Sequence, residues 1–235
     1  MCVVSRFTVR YIDKDGERYQ VEKDDHHTEV DLSDLAIKSI SLEPIGQCTR
    51  LEKINLDTNL ISDLDLTPLS SCSKLKIFSI TSNELENIDL EPMRNCRELQ
   101  ALEISDNHLS YIDLSPLANC KHLRWLYIAD NNLKEIDFSS FNEHTNLQYI
   151  VLSGNQLEEV DLSPLEQSRD LRYLHLNENS IFEIDISILF HCELLESLVI
   201  DPQVSLLADH KLKHQTYFPE PLREKLEDIK WLHQT

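Results

Sequence analysis

Glycine is scarce in this sequence: it occurs only at positions 16, 46 and 154 of 235 residues. Without a glycine-rich loop the chain has neither a P-loop nor a dinucleotide-binding fingerprint, so a nucleotide site is not expected. No G-x-S-x-G, H-E-x-x-H or paired C-x-x-C motif is present either. Cys2, His175 and scattered carboxylates show no catalytic arrangement. The sequence therefore predicts no catalytic residue, no cofactor and no enzymatic activity.

Positive charge is also scarce. Lys plus Arg number 22 against 42 Asp plus Glu, which gives a net charge of −20 at pH 7. Such a field repels phosphate backbones and anionic membrane surfaces, so neither nucleic acid nor a membrane is an expected partner. No apolar run approaches the ~20 residues of a membrane span, and the N-terminal stretch lacks the apolar region of a signal peptide.

Cysteine is present but sparse. The six cysteines form no tight cluster, and no N-x-S/T glycosylation acceptor occurs despite many asparagines. These features predict a reducing intracellular compartment, the cytoplasm.

Repetition is what the sequence has in abundance. Aligned against itself, the chain shows a period of 24 residues, and six copies run without insertion from Leu51 to Leu194. Repeat three reads "LQALEISDNHLSYIDLSPLANCKH" and repeat four "LRWLYIADNNLKEIDFSSFNEHTN". The shared frame is LxxLxLxxNxLxxIDLSPLxxCxx. A degenerate copy precedes them, with Leu35 in place of the asparagine, and "LESLVI" opens an eighth strand at Leu195.

This repetition predicts four parts along the chain. They are an N-terminal capping hairpin over 1–26, the degenerate repeat over 27–50, the six repeats over 51–194, and the last strand with a capping segment over 195–235.

Each segment of the frame has a physical interpretation. The stretch L-x-x-L-x-L alternates apolar and polar residues, as a half-buried strand does. Ser or Thr before Pro, as in "DLSPLANC", would act as an N-cap before a first-turn proline and start a short helix. Because one copy cannot bury its own leucines, the copies must stack, strand on strand, into a parallel sheet. Repeat four lacks this proline and repeat six has Ile188 there, so less regular helices are expected in both.

The frame resembles the leucine-rich repeat family in its 24-residue form, in which L-x-x-L-x-L-x-x-N-x-L is the diagnostic stretch. The resemblance implies an α/β fold: a right-handed solenoid, or horseshoe, with a concave parallel β-sheet and short helices or turns on the convex side. It also implies protein binding, and similar proteins often regulate a phosphatase or a small GTPase.

Both ends of a solenoid expose core and need caps. At the front, two alternating runs joined across Asp15 and Gly16 predict a β-hairpin. At the back, Leu222, Leu226 and Ile229 lie near helical spacing behind a proline, which predicts a capping helix of about four turns with Trp231 in the core.

Three columns of repeated polar residues are interpreted as structural. The asparagines should bond the backbone of the turn that leaves each strand, as the family resemblance also implies. The cysteines are expected to be small buried residues rather than metal ligands, because each lies alone in its repeat. The aspartates should accept local backbone N–H bonds, with cation binding as the alternative. The aspartates are Asp65, Asp89, Asp113, Asp137, Asp161 and Asp185.

The third and fifth places of each strand should point outward on the concave face. Repeats four to six place aromatic residues there, while repeats one to three hold small or charged ones. Trp and Tyr dominate binding hot spots, so this face predicts a protein or peptide site with an acidic rim and arginines at the strand starts. The predicted partner-binding residues are Trp125, Tyr127, Tyr149, Val151, Tyr173, His175, Glu103, Asp130, Arg124 and Arg172.

Two other functions stay open. The aromatic surface could close a homodimer or take in the chain's own C-terminal tail, although a monomer is the first expectation. The aspartate column could instead make the chain a cation-binding solenoid.

Overall fold

The computed structural model describes residues 6–24 and 27–233. Residues 1–5, which include Cys2, and residues 25–26 of the predicted 1–26 segment lie outside the described residues. Residues 234–235 of the predicted 195–235 segment lie outside them too. No helix among the described residues has the length and apolar character needed to cross a bilayer. The strands are β1 Arg6–Asp13, β2 Arg18–Asp24, β3 Glu29–Asp31, β4 Ile37–Ser41, β5 Lys53–Asn55, β6 Ile77–Ser79, β7 Ala101–Glu103, β8 Trp125–Tyr127, β9 Tyr149–Val151, β10 Tyr173–His175, β11 Glu183–Asp185, β12 Ser197–Val199, β13 Ser205–Asp209 and β14 Lys230–Leu232.

A long parallel sheet of eight strands runs through the repeats, in the order β12-β10-β9-β8-β7-β6-β5-β3. Each strand pairs with the equivalent residues of its neighbour, so Trp125 lies opposite Tyr149 and Tyr149 opposite Tyr173. The register equals the 24-residue period because stacking places identical frame positions side by side. The predicted solenoid and its eighth strand are confirmed.

The core lies behind this sheet and is built from the leucine positions of the frame. In repeat four, Leu123, Leu126 and Ile128 are fully buried. Alternation along a strand sends the residues between them to the opposite face. The core is continuous from the N-terminal strands to the C-terminal segment, so all repeats share it.

The asparagine column forms the predicted ladder. Asn131 Oδ1 accepts from the Leu109 N–H at 3.0 Å, and its Nδ2 donates to the Ile104 carbonyl at 3.1 Å. Each asparagine thereby joins the turn of its own repeat to the preceding one, and both its oxygen and its nitrogen are bonded to backbone. The ladder residues are Asn59, Asn83, Asn107, Asn131, Asn155 and Asn179.

Short 3₁₀ helices occupy the far side of the repeats. Repeats four and five have three residues each there, although only repeat five carries the proline, while repeat six has five without it. The expected irregularity without proline is thus right for repeat four and wrong for repeat six. The bounds are Glu43–Gln47, Thr67–Ser71, Glu91–Asn95, Ser115–Asn119, Ser139–Phe141, Ser163–Leu165, Ser187–His191 and His210–His214.

The aspartate column, not the serine or threonine, caps these helices. In repeat three the N-cap residue is Leu114, which makes no side-chain bond, while Asp113 Oδ1 accepts the Ser115 N–H at 2.8 Å. The predicted Ser/Thr N-cap is therefore wrong, because Ser115 already lies inside the helix. The same bond recurs in all six repeats. The interpretation of the aspartates as local backbone acceptors is confirmed.

At the N-terminal end, β1 and β2 form an antiparallel hairpin, and β1 also pairs with β4 of the degenerate repeat. Phe7, Val9 and Tyr11 of β1 are buried in the core beside the degenerate repeat. The hairpin therefore covers apolar surface that the degenerate repeat would otherwise expose at this end of the solenoid.

The C-terminal end differs from the predicted four-turn helix. The only α-helix among the described residues, α1, spans Glu220–Arg223. The segment after it forms β14, which pairs in parallel with β13, and β13 pairs with β11. The helix prediction is wrong because β13 offers unpaired backbone groups to the chain that follows. The apolar residues still pack: Leu222 and Ile229 are buried, and the partly buried Trp231 contacts Phe190 at 5.8 Å between ring centroids.

Candidate functional site

The outer face of the long sheet, the face predicted to be concave, carries the candidate site. Register aligns Tyr127 with Val151 and Val151 with His175, beside the row formed by the first residues of the same strands. All of these side chains are partly exposed. We call this surface the aromatic patch, and it consists of Trp125, Tyr127, Tyr149, Val151, Tyr173 and His175.

The rings of the aromatic patch touch one another. Tyr149 and Tyr173 stack with centroids 4.6 Å apart and planes at 6°. Trp125 and Tyr127 each lie 6.4 Å from Tyr149, at tilted angles. Tyr149 is thus the centre of the patch, and stacking holds the rings in place while each stays partly exposed.

The two arginines predicted to bind the partner, Arg124 and Arg172, make different contacts within the chain. Arg172 pairs with Glu196 of the next repeat, and the Tyr173 hydroxyl donates to the same carboxylate at 2.6 Å. These bonds hold the pKa of Glu196 below its usual value. Arg124 instead lies over the Trp125 ring, 6.0 Å from its centroid. The charge of Arg172 is therefore already compensated. Glu196 was not predicted as its partner because it lies in the strand that follows repeat six.

Carboxylates line the other edge of the patch, and we call Glu103, Asp106, Asp130 and Glu178 the acidic rim. Burial raises the pKa of Glu103, and the Ser79 Oγ lies 3.2 Å from its Oε2. Partial burial and the charges of Asp106 and Glu178 raise the pKa of Asp130. The rim therefore concentrates negative charge beside apolar rings, an arrangement that favours a cation at this edge.

His175 closes the patch toward the last strand. Its Nε2 lies 3.0 Å from the Ser197 Oγ, and partial burial lowers its pKa. The neutral ring is therefore the favoured form at neutral pH.

A column of left-handed backbone follows the strands, and sequence reasoning missed it. Asp106, Asp130 and Glu178 all have φ between 52° and 58°, and Gly154 has φ 68° at the same place. A Cβ at Gly154 would collide with the Asp130 carboxylate, which leans over this glycine. The signal was present in the residue types, since Gly and Asp before the ladder asparagine are typical of such turns.

The cysteine column is a column of donors as well as of small buried residues. Cys120 Sγ lies 3.3 Å from the Cys96 carbonyl, and the two replacements keep the pattern. His144 Nε2 lies 3.2 Å from the Leu117 carbonyl, and Ser168 donates to the His144 carbonyl at 2.6 Å. Burial raises the pKa of the Cys96 thiol to about 12, so these thiols stay protonated. Among residues 6–24 and 27–233, no three His, Cys, Asp or Glu side chains are placed to hold a metal ion.

Comparison with known families identifies a leucine-rich repeat match. The family model described as Leucine rich repeat matches residues 49–109 and 121–181, just over half of the 235 residues. No sequence among the curated proteins matches the chain.

Several solved structures share the fold. An internalin (inlF) from Listeria monocytogenes is 25% identical, with a TM-score of 0.58, over 88% of this chain and 53% of its own. The plant peptide hormone receptor RGFR1, solved with RGF2, is 24% identical, with a TM-score of 0.62, over 73% of this chain and 28% of its own. The ectodomain of GASSHO1/SCHENGEN3 from Arabidopsis thaliana, solved with CASPARIAN STRIP INTEGRITY FACTOR 2, is 21% identical, with a TM-score of 0.67, over 95% and 25%. This chain spans about half or less of each structure.

Proposed function

The chain belongs to the leucine-rich repeat family, and we propose that it is a non-enzymatic scaffold that binds a protein or peptide through the aromatic patch. The carrying observation is the cluster of partly exposed rings centred on Tyr149. Proteins with this fold are typically interaction modules, so a binding scaffold is the function that the family favours.

Shielding of the sheet is the simplest competing explanation for the rings. Stacked aromatic pairs are worth about 0.5 to 1.5 kcal/mol beyond the area that they bury. Yet the equivalent strands of repeats one to three use Lys53, Ile77 and Ala101 with the same register. The sheet therefore forms without aromatic shielding, which supports a binding role for the rings.

The chemistry of the patch selects the partner surface. Trp and Tyr bury 150 to 250 Å² each, and about two rotatable bonds per side chain keep the entropic cost of fixing them low. The acidic rim next to Tyr127 favours Lys or Arg on one side of the occupant. We infer a partner with an apolar or aromatic centre and a basic edge, and the candidates that the family resemblance suggests are a phosphatase and a small GTPase.

Two structural neighbours were solved in complexes: the plant peptide hormone receptor RGFR1 with RGF2, and the ectodomain of GASSHO1/SCHENGEN3 with CASPARIAN STRIP INTEGRITY FACTOR 2. Their likeness to this chain is one of fold. It supports a peptide or protein as the class of ligand.

Substitution of the patch tests the proposal. Replacing Trp125 or Tyr149 with Ala should weaken the partner by about 2 kcal/mol, roughly 30-fold in Kd. Ile77→Ala, in the same row on repeat two, should leave binding unchanged. Captured proteins from native lysate would be compared between wild type and Trp125→Ala, and the affinity of the identified partner would then be measured for each variant.

Circular dichroism melting of the same proteins separates binding from folding. A Trp125→Ala protein that loses its cooperative melt would identify the ring as core and contradict the proposal. Equal capture by wild type and variant would contradict it too.

Self-association through the same patch is the second candidate. The chain's own C-terminal segment is already placed elsewhere, because β14 lies on β13 and Trp231 packs on Phe190. A homodimer would bury two patches against each other, and we expect a monomer because like-charged acidic rims would meet. Light scattering across a concentration series, coupled to size exclusion, distinguishes the two states.

We also propose a cytoplasmic, reducing location. The cysteines of this column are buried, and Cys72, Cys96, Cys120 and Cys192 form no disulfide among the described residues. A reducing compartment preserves such thiols. Imaging of the tagged chain in its native cell tests this, and a secreted or surface location would contradict it.

A further inference from the structure

A groove of about 690 Å³ runs along the side of the solenoid, away from the aromatic patch. It follows the chain between the asparagine ladder and the short helices in repeats three to six. Its floor holds one buried apolar residue per repeat, and Leu207 of β13 adds to the last one. The four floor residues are Ile112, Ile136, Val160 and Ile184.

The walls of the groove carry only negative charge. Four glutamates line it together with four of the capping aspartates, and no lysine or arginine is among its lining residues. Elsewhere glutamates pair across repeats, as Glu52 does with Lys76 and Glu143 with Lys121. Within the described part of the chain, the groove glutamates have no ion pair and no side-chain hydrogen bond. These groove glutamates are Glu135, Glu158, Glu159 and Glu183.

Two exposed rings border the groove at its ends. Tyr111 in repeat three is 57% exposed, and Phe182 in repeat six is 76% exposed, the highest value for a large hydrophobic side chain in the described residues. They lie three repeats apart, about 14 Å at the spacing of parallel strands. Between them Ser140 lines the groove, and its buried Oγ has no hydrogen-bond partner within the described residues.

We propose that this groove is a second binding site, which takes an extended basic segment of a partner protein. Lys or Arg side chains meet the glutamate walls, and apolar side chains between them cover the floor and contact Tyr111 and Phe182. Like charges converge in the groove, and no lysine or arginine is among its lining residues, so a cation from a partner lowers the energy of the groove. The distance between the rings fits about four extended residues.

A selection experiment tests the site without a known ligand. A display library of random peptides would be panned on the full chain, and the selected peptides should be enriched in Lys and Arg alternating with aliphatic or aromatic residues. The strongest binder would then be titrated, by fluorescence anisotropy, against Glu158→Gln/Glu159→Gln/Glu183→Gln. We expect binding to weaken at least tenfold, and Phe182→Ala should weaken it by a similar factor.

Matched variants control for net charge and for the other face. Asp63→Asn/Glu84→Gln/Glu86→Gln removes as many exposed carboxylates from repeats one and two, and it should leave the affinity unchanged. Trp125→Ala should also leave it unchanged, because the aromatic patch lies on another face. All substituted residues are at least partly exposed, so the variants should melt as the wild type does.

Several results would overturn the proposal. The selection could yield no binder, or peptides that are not enriched in Lys and Arg. The peptide affinity could fall equally in the control variant of repeats one and two. It could also fall with Trp125→Ala but not with the groove variant. Displacement of the peptide by spermine at equal concentration would also overturn it, because spermine carries charge without apolar side chains.

Discussion

The outer face of the sheet in repeats one to three and the same face in repeats four to six are built on one backbone and carry different chemistry. In the first half, Lys53 pairs with Glu29 and Lys76 with Glu52, both at 2.8 Å. Most charges there have partners within the chain. In the second half the third places of the strands hold Trp125, Tyr149 and Tyr173, whose rings contact one another and are partly exposed.

The lesson is that the frame fixes the fold and leaves these places free. Phe78 and Leu126 are both fully buried at the fourth place of their repeats, and register is conserved across the boundary. Since the sheet does not need aromatic residues, their concentration in one half supports the proposed binding role. The unpaired glutamates of the groove belong to the second half as well.

Substitution in the asparagine ladder should destabilise the two halves equally. It has the largest expected effect on the free energy of unfolding. Replacing Asn107 or Asn131 with Ala should each lower the free energy of unfolding by about 4 kcal/mol, because several buried backbone groups lose a partner at about 1 to 3 kcal/mol each. Both amides bond the preceding repeat, at 3.0 Å to Leu85 N–H and to Leu109 N–H respectively. Urea unfolding followed by circular dichroism measures the loss.

The exposed neighbour Asn132 supplies the control for this prediction. Asn132→Ala should change stability by less than about 0.5 kcal/mol. A difference above about 1 kcal/mol between the two ladder variants would show that the halves differ in their core as well as on their surface.

At the cysteine column, the two halves should differ in how the free energy of unfolding depends on pH. His144 replaces cysteine in repeat four, stacks on Phe141 at 4.3 Å and is fully buried, and burial lowers its pKa to about 4 from 6.5. The unfolded chain therefore binds the proton more readily. The contribution of His144 is complete above pH 6.5 and is lost as the pH falls toward 4, by about 3 kcal/mol.

His144→Cys converts repeat four to the residue of repeat three, so it should remove about that much of the acid-induced loss. Unfolding free energies at pH 7, 5.5 and 4 for wild type and variant give the comparison. The exposed His122, replaced by Gln, controls for the loss of one histidine. If His144→Cys and wild type lose the same stability between pH 7 and 4, the burial argument for this ring is wrong.

Sequence reasoning succeeded where the 24-residue period carried the information. The solenoid, the asparagine ladder, the aspartate bonds and the two rows of outward residues all follow from positions that repeat, because stacking turns a sequence column into a spatial one. The period alone thus places Trp125 and Tyr149 side by side.

Prediction from the sequence failed for contacts that do not recur from repeat to repeat. The helical spacing of Leu222, Leu226 and Ile229 identified residues that pack, but β14 forms because β13 has a free edge, which no local pattern displays. Arg172 was assigned to the partner, although Glu196 in the next repeat already binds it. The groove was missed because its carboxylates and rings are scattered over four repeats.

The left-handed column gives the smallest expected stability effect and the finest contrast between the halves. Ser82 in repeat two has φ 56° and already has a Cβ, whereas Gly154 in repeat five has φ 68° and has none. Gly154→Ala should cost about 1 to 2 kcal/mol, because an L residue is strained at positive φ. Ser82→Ala replaces one strained L residue by another and should change stability by less than about 0.5 kcal/mol.

Gly154→Ala should also act on the acidic rim, because the new methyl group would occupy the place of the Asp130 carboxylate. Asp130 must turn away from residue 154 toward solvent, which reduces the burial that is the largest cause of its raised pKa. The carboxyl chemical shift of Asp130 in a pH titration should therefore move toward an ordinary value in the variant. Melting curves and this titration are measured on the same samples. An unchanged titration together with the loss of stability would mean that the strain is real and that the carboxylate does not depend on the missing Cβ.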